Sequence, residues 1–309
     1  MKKMSEARLE THRYRFDKVV LAFSMLIFIV NFINIGNGYH YLFAALGNLF
    51  IFLMILKITY RPPPAGLGFN LRWLYPLLLL VPLQYQIELA ATLFHGGEVY
   101  DPLVRIWDKA LFGPYVHRWL PDVLPGAFWR EGFHLLYVAY YPLIVGSYIF
   151  VWNQGRSGQA NLSEGPDPRF LRFAFVMMAS FVSYLIVFIL FPVIGPLDDR
   201  FLRFDGVGLI GPMIDWLYAQ AHSAGGAFPS SHVGEAVIVV LLLRPRGYQR
   251  LALWLFIGGM TVATIYGSFH YAIDALAGLL SGGVLYLLWS WLYQRWGPEN
   301  VNNDPAISA

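Results

Sequence analysis

Long apolar stretches alternate with short polar segments along most of the chain. A helix needs about 20 mostly apolar residues to cross the hydrocarbon core of a bilayer. Eight stretches approach that length: residues 18–36, 40–57, 73–94, 128–152, 170–194, 229–243, 251–269 and 271–293. The sixth is short and contains Glu235, so we expect it to be buried against protein rather than lipid. The pattern predicts an all-α fold, a polytopic transmembrane helical bundle of about eight spans.

The distribution of basic residues predicts how these spans are oriented. Lys and Arg are enriched in the cytoplasmic segments of membrane proteins. With the N-terminus inside, sixteen of the 22 Lys and Arg residues lie on the inner side, and the outer side holds only Arg105, Lys109, Arg118, Arg130, Arg200 and Arg203. We expect an integral protein of the plasma (inner) membrane with both termini cytoplasmic. The predicted parts are a basic tail, a membrane domain and a second tail, over residues 1–17, 18–294 and 295–309.

Composition narrows the classes of function. Hydrophobic residues make up 57% of the chain and charged residues 13%, against roughly 45–50% and about 25% in soluble domains. This excludes a soluble enzyme, a disordered chain and a coiled coil. The absence of cysteine excludes a thiol nucleophile, a thiolate metal site and a disulfide. The basic N-terminus is explained by orientation and anionic lipid, so we expect membrane lipids as partners and no nucleic acid.

Two long outer loops separate the predicted spans. Residues 95–127 combine aromatic and acidic side chains with four prolines, which predicts a short interfacial amphipathic helix. Residues 195–228 carry Arg200 and Arg203. Long loops in compact proteins are often functional, so we expect the second loop to contribute to a site.

A short motif, Phe228-Pro229-Ser230-Ser231-His232, opens the sixth apolar stretch. Proline suits the first turn of a helix, where its missing N–H would be unpaired in any case. The unpaired backbone N–H groups at a helix N-terminus form a ready site for an anion. Ser230 and Ser231 add hydroxyl donors, and His232 lies where it can give or take a proton. The motif therefore predicts an anion-binding helix start.

A second motif, His270-Tyr271-Ala272-Ile273-Asp274, opens the last apolar stretch. Residues four apart lie on one helix face, so Asp274 can accept the N–H of one imidazole nitrogen of His270. The lone pair of the other nitrogen is then left for the substrate. Gly278 and Gly282 share the face of Asp274, and the Gly-x-x-x-Gly spacing allows close helix packing. We expect Asp274 to face the interior of the bundle.

Topology brings the two motifs together. His232 and His270 are 38 residues apart, which is enough for two spans that cross the membrane and return. Both histidines are therefore expected on the outer side, where the loop with Arg200 and Arg203 also opens. Two histidines, an aspartate, a helix N-terminus and arginine supply the groups for phosphoryl transfer through a phosphohistidine: nucleophile, orienting acid, proton donor and charge clamp. We expect neither a metal nor another cofactor.

The two motifs resemble the second and third signatures of the type-2 phosphatidic acid phosphatase superfamily. The flank Gly267–Gly278 is most similar to the branch of that superfamily that includes inositol phosphorylceramide synthase. The resemblance covers mainly residues 190–285, and the catalytic core is predicted at about 125–294. It implies that the nucleophile, its orienting acid and the proton donor are, in that order, His270, Asp274 and His232. It also implies that the phosphate is held by backbone amides and by Ser230 and Ser231.

Two departures from the superfamily concern the charge clamp. The third signature has Ser-Arg ahead of the histidine, where this chain has Ala263 and Thr264. The first signature, Lys-x6-Arg-Pro, has no counterpart, and the stretch 191–196 with Arg200 resembles the substitute found in the synthase branch. Arg200 and Arg203 are therefore the predicted phosphate-binding arginines.

The sequence predicts an integral membrane lipid phosphatase or phosphotransferase that acts on a phospholipid or lipid (di)phosphate, with hydrolysis and transfer both open. An alternative is a multi-span transporter that uses Glu88, Glu235 and Asp274 as a proton or ion path, although the sequence lacks the inverted repeats typical of that class. A third is a metallohydrolase whose ligands would be His232, Glu235, His270 and Asp274. Glu235 remains open between a hydrogen-bond partner of His232 and a structural group bound to a neighbouring span.

Overall fold

A computed structural model describes residues 14–60, 67–84, 86–156, 166–204, 207–221 and 225–296. The predicted tails, residues 1–17 and 295–309, lie outside the described residues except at 14–17 and 295–296. Over the described part the chain is helical and has no β-strand, and an isolated parallel bridge joins Val193 to Gly226. The predicted all-α class is confirmed.

The helices are, in chain order, α1 (Arg15–Ile33), α2 (Tyr39–Tyr60), α3 (Leu67–Gln84), α4 (Ile87–His95), α5 (Asp101–Phe112), α6 (Val116–Val123), α7 (Ala127–Val138), α8 (Tyr140–Arg156), α9 (Pro168–Leu190), α10 (Leu197–Phe204), α11 (Gly211–Ala221), α12 (Ser231–Leu243), α13 (Gly247–Tyr266) and α14 (Ala272–Arg295). A short 3₁₀ turn, Ile35–Asn37, follows α1.

Five described helical segments are long and apolar enough to cross a membrane: Arg15–Ile33, Tyr39–Thr59, Ala127–Gly155, Pro168–Leu190 and Ala272–Arg295. A bent pair of helices, Arg72–Leu80 and Pro82–His95, raises the number to six if the pair is one span. The other two predicted spans correspond to α12, which has 13 residues, and α13, whose first turn contains the polar residues Gln249 and Arg250. By length and composition, the chain is a polytopic membrane protein with five or six full-length spans.

Two compact units make up the fold. Of the described residues, the first comprises those within 14–80, 147–182 and 288–296. Its interior holds the carboxylate of Asp17, which accepts hydrogen bonds from Arg72 at 2.6 Å and from the Tyr75 hydroxyl at 2.6 Å. A buried charge is tolerated when it is paired and hydrogen-bonded, so this network ties the first turn of α1 to α3.

The second unit comprises residues 81–146 and 183–287 and contains every residue predicted for the site. Within it, α12 and α14 approach so closely that their backbones meet. A Cβ at Gly278 would come within 2.5 Å of the Ser230 carbonyl oxygen, and one at Gly282 within 2.6 Å of the Gly234 carbonyl oxygen. Because only glycine fits both positions, the close packing predicted from the Gly-x-x-x-Gly spacing is confirmed.

Two short helices, α5 and α6, lie within residues 95–127, the loop for which the sequence predicts one interfacial helix. Helix α5 differs from an amphipathic helix on a water-soluble protein, because acidic side chains are buried and large apolar side chains are exposed. Its acidic residues Asp101 and Asp108 are buried, while Ile106 and Leu111 are 64% and 57% exposed. Helix α5 therefore packs on the rest of the second unit through Asp101, Val104 and Asp108, and it turns Ile106 and Leu111 outward.

Gly278→Ala should destabilise the second unit, because the new methyl group would overlap the Ser230 carbonyl oxygen. Overpacking of this kind costs about 1–3 kcal/mol, and we expect it to lower the melting temperature of the detergent-purified protein. Gly283→Ala is the matched control on the same helix, since a Cβ there meets no heavy atom within 4 Å. Equal melting temperatures for the two variants would contradict the close approach of α12 and α14.

Candidate active site

The start of α12 forms one wall of the candidate active site. Ser230 is the N-cap residue of this helix, and its carbonyl oxygen accepts the N–H of Gly234 at 3.0 Å. The Ser230 N–H donates to the carbonyl oxygen of Asp274, also at 3.0 Å. The predicted motif therefore opens a helix, although Pro229 precedes the N-cap and does not lie in the first turn as expected. A backbone hydrogen bond ties that opening to the first turn of α14.

His270 lies against Ser230 and is almost fully buried. Its Nε2 atom is 3.1 Å from the Ser230 Oγ. Its backbone N–H donates to the Thr264 carbonyl oxygen at 3.1 Å, near the end of α13. The short turn between α13 and α14 thus directs the imidazole toward the N-terminus of α12.

Asp274 is completely buried beside His270, which confirms that it faces the interior of the protein. Its Oδ2 atom is 3.6 Å from His270 Nδ1, beyond hydrogen-bond range. The same oxygen accepts the backbone N–H of Tyr271 at 2.8 Å. Asp274 therefore caps the first turn of its own helix and acts on the His270 ring across a short gap, instead of through the predicted hydrogen bond.

His232, the second residue of α12, brings another imidazole next to the first. The ring centroids of His232 and His270 are 6.3 Å apart. Three tyrosine rings surround His232, with centroids at 5.3 Å for Tyr137, 4.4 Å for Tyr140 and 5.9 Å for Tyr141. The structure therefore brings together both predicted histidines, Asp274 and Ser230.

The segment before α10 packs against the turn that carries His270. Val193 donates to the Gly225 carbonyl oxygen at 3.1 Å and accepts from the Ala227 N–H at 2.8 Å, which joins this segment to the approach of α12. Gly195 has a φ of +87°, and a Cβ there would lie 2.9 Å from the Phe269 carbonyl oxygen. A glycine is required at this point both for its backbone conformation and for the close approach.

Helix α5 holds these segments with two buried carboxylates. Asp101 accepts the N–H groups of Ile194 and Gly195 at 2.8 and 2.9 Å. Asp108 accepts the N–H of Ile273 at 2.9 Å, within the second motif. Burial raises the pKa of Asp108, and the Ile273 N–H opposes that shift. The carboxylates thus satisfy backbone donors that would otherwise be unpaired in a buried position.

Arg105 lies between these two carboxylates on the same helix and donates from Nε to the Tyr271 hydroxyl at 2.9 Å. Asp101, Arg105 and Asp108 were not among the predicted site residues. The available signal was their spacing of four and three residues, which places charged side chains on one face of a helix.

The two arginines predicted to bind phosphate are engaged with aspartates. Arg200 is fully buried, forms an ion pair with Asp215 and donates to the Gly267 carbonyl oxygen at 3.4 Å. Arg203 pairs with Asp122 at 2.9 Å. In this structure Arg200 therefore supports the turn before His270, and Arg203 links α10 to α6.

The remaining predicted residues lie on α12. Ser231 is its first residue and is buried. Glu235 is buried one turn further along, and its Oε1 atom has no hydrogen-bond partner among the described residues. Across the described ranges, no group of three or more His, Cys, Asp or Glu side chains is arranged to hold a metal ion.

Residues 164–288 match the family model of the PAP2 superfamily. This range contains both motifs, so the chain is a membrane protein that carries a PAP2 superfamily domain. Helices α5 and α6 lie outside the matched range. Comparisons with curated proteins and with solved structures gave no match.

Asp108→Leu should loosen the segment next to His270, because the partly buried Ile273 N–H would lose its acceptor. Leaving such a group unsatisfied costs about 1–3 kcal/mol, and the Ile273 amide should exchange with deuterium faster. Asp108→Asn is the control, because its amide oxygen can still accept the hydrogen bond. Equal exchange rates in the two variants would show that Asp108 does not hold this segment.

Proposed function

We propose that this protein is an integral membrane phosphatase or phosphotransferase that acts on phospholipids or lipid phosphates through a phosphohistidine intermediate. One geometric observation carries the proposal. His270 Nε2 is 3.1 Å from Ser230 Oγ, Asp274 is 3.6 Å from the opposite ring nitrogen, and the His232 ring is 6.3 Å from that of His270. A nucleophile, a carboxylate beside it and a second imidazole are the groups that cleavage of a P–O bond through histidine needs.

In the first step, the lone pair on His270 Nε2 attacks the phosphorus atom. An N–P bond forms, the P–O bond to the leaving group breaks, and His232 gives its proton to the leaving oxygen. The carboxylate of Asp274 stabilises the positive charge that develops on the His270 ring. The 3.1 Å approach of Ser230 Oγ to Nε2 supports that nitrogen as the one that faces the phosphate.

In the second step, His232 takes a proton from water or from an acceptor hydroxyl, and the oxygen of that molecule attacks phosphorus. The N–P bond breaks and its electron pair returns to His270 Nε2. Water as the acceptor gives a phosphatase, and an alcohol gives a transferase. The similarity of the residues around His270 to the inositol phosphorylceramide synthase branch supports transfer as the finer proposal.

The start of α12 supplies charge stabilisation to the phosphate. Its first backbone N–H groups have no partner within the helix, and the helix dipole adds partial positive charge at this end. The hydroxyl groups of Ser230 and Ser231 add two donors. This combination is typical of an anion site, and it would strengthen as negative charge builds up in the transition state.

We propose that the reaction takes place at the outer face of the plasma (inner) membrane. Lys and Arg are concentrated in the segments predicted to lie on the cytoplasmic side, and this supports an outward-facing site. Helix α12 leads away from the site and α13 returns to it, so both histidines lie at one end of this helical pair. A lipid could then present its phosphate at the helix ends while its tails stay in the bilayer.

His270→Ala should abolish phosphate release and headgroup transfer in a screen of lipid phosphates with the full-length protein, because no other group replaces Nε2. A phosphoenzyme that is labile in acid should form in the unchanged protein and be absent from the variant. His40→Ala is the control, since this exposed histidine belongs to the first unit. Full turnover by His270→Ala would end the proposal.

His232→Ala should slow the cleavage of lipid alkyl phosphates far more than that of p-nitrophenyl phosphate. An alkoxide must be protonated as it leaves, and general acid catalysis contributes about 10²–10⁴-fold, whereas nitrophenolate leaves without a proton. The measurement is kcat for both substrates in each protein. An equal loss for the two leaving groups would show that His232 is not the proton donor.

A further inference from the structure

A polar cavity of about 100 Å³ lies beside Tyr271, the residue that follows the proposed nucleophile. Its walls come from α5, α6 and the segment that starts at Gly195. Gly195 also contacts the turn before His270, where a Cβ would lie 2.9 Å from the Phe269 carbonyl oxygen. The cavity therefore shares a wall with the segment that carries the nucleophile.

Arg105 lines this cavity and, among the described residues, forms no ion pair with a carboxylate. The other outer-loop arginines each have an acidic partner, in the pairs Arg118–Asp199, Arg130–Glu131, Arg200–Asp215 and Arg203–Asp122. The nearby carboxylate of Asp101 accepts two backbone N–H groups and the Tyr271 hydroxyl, at 3.4 Å, so it is linked to Arg105 through that tyrosine and attracts it only at longer range. The charge of Arg105 is therefore available to a ligand, whereas the charges of Arg200 and Arg203 are already matched.

A hydrogen bond from the Nε atom of Arg105 orients its side chain. Its Nε donates to the Tyr271 hydroxyl at 2.9 Å, which leaves the two terminal amino groups for another acceptor. A guanidinium group held in this way can donate two parallel hydrogen bonds to a phosphate. Because the side chain is already oriented, less conformational entropy is lost when an anion binds.

The other charged groups at the cavity are largely matched among themselves. His117 and Arg118 both contact the carboxylate of Asp199, at 3.0 and 2.9 Å. Burial lowers the pKa of His117 in spite of this contact, so the ring is a neutral donor near pH 7. Asp198 lines the cavity from the first turn of α10 and is exposed, so its negative charge is weakened by water but not removed.

We propose that this cavity is an anion subsite in which the terminal amino groups of Arg105 bind the oxygens of a phosphate group. Its part in turnover rests on the proposed function, but the binding of phosphate to the cavity does not. The bound group is either the phosphoryl group that His270 receives or a second phosphate of the same substrate. Both sources present the same chemistry to Arg105.

Binding is tested in full-length protein that carries His270→Ala, so that no phosphohistidine can form. Inorganic phosphate is titrated by calorimetry into this protein in detergent. Adding Arg105→Gln should weaken binding about tenfold or more, as expected for the loss of a charge-assisted pair of hydrogen bonds. Lys109→Gln is the matched control, because it removes the same charge one turn along α5 from an exposed residue that does not line the cavity.

Two further variants distinguish a loss of phosphate binding from a folding defect. Arg105→Lys keeps the positive charge but loses the two parallel N–H donors of the guanidinium group, so this variant should bind phosphate with intermediate affinity. Asp198→Asn removes a negative charge at the cavity and should tighten binding. Equal affinities for the Arg105→Gln and Lys109→Gln proteins, or no binding of phosphate by the His270→Ala protein, would overturn the subsite.

Turnover distinguishes the two sources of phosphate. If Arg105 binds the transferred group, Arg105→Gln should lower the turnover of lipid monophosphates and of lipid diphosphates alike. If Arg105 binds a second phosphate, only the turnover of diphosphates should fall. Unchanged turnover of both substrates would overturn a role next to His270. Phosphate binding without any turnover in the unchanged protein would instead contradict the proposed function and leave the subsite standing.

Discussion

The Ser230 N–H donates to the Asp274 carbonyl oxygen, and this backbone hydrogen bond joins the start of α12 to the start of α14. The bond is possible because Gly278 and Gly282 put no side chain between the two helices. Every group proposed to act on phosphorus extends from this junction, on one helix start or the other. A displacement of one helix by the width of a methyl group would change the distances between these groups, on which the proposed transfer depends.

The junction is supported by a helix outside the matched PAP2 superfamily range. Buried backbone N–H groups need acceptors wherever the chain is not regular, and two such stretches flank the site. The carboxylates of Asp101 and Asp108 supply acceptors to both from a single rigid element, α5. The superfamily domain therefore depends, in this chain, on a segment that precedes it in sequence by more than fifty residues.

Much of the site could be predicted because its residues are close in sequence to helix starts and to a glycine pair. His232, His270, Asp274 and Ser230 each carry a local signal of that kind. The ion pairs of Arg200 and Arg203 could not be predicted, because the sequence does not tell which aspartate an arginine will meet in the fold. The buried carboxylates of α5 could not be predicted for a related reason. Acidic residues in an amphipathic helix are expected to face water, whereas Asp101 and Asp108 face the protein.

The two sides of α5 carry separate properties of the molecule. Its inward carboxylates and Arg105 fix backbone segments and a tyrosine, while outward residues such as Ile106 and Leu111 make no part of those contacts. The affinity of this surface for an apolar phase and the rigidity of the turn that carries His270 can therefore vary independently. Substitutions at Ile106 or Leu111 could therefore change the apolar surface of this helix without disturbing the hydrogen bonds that hold the candidate site.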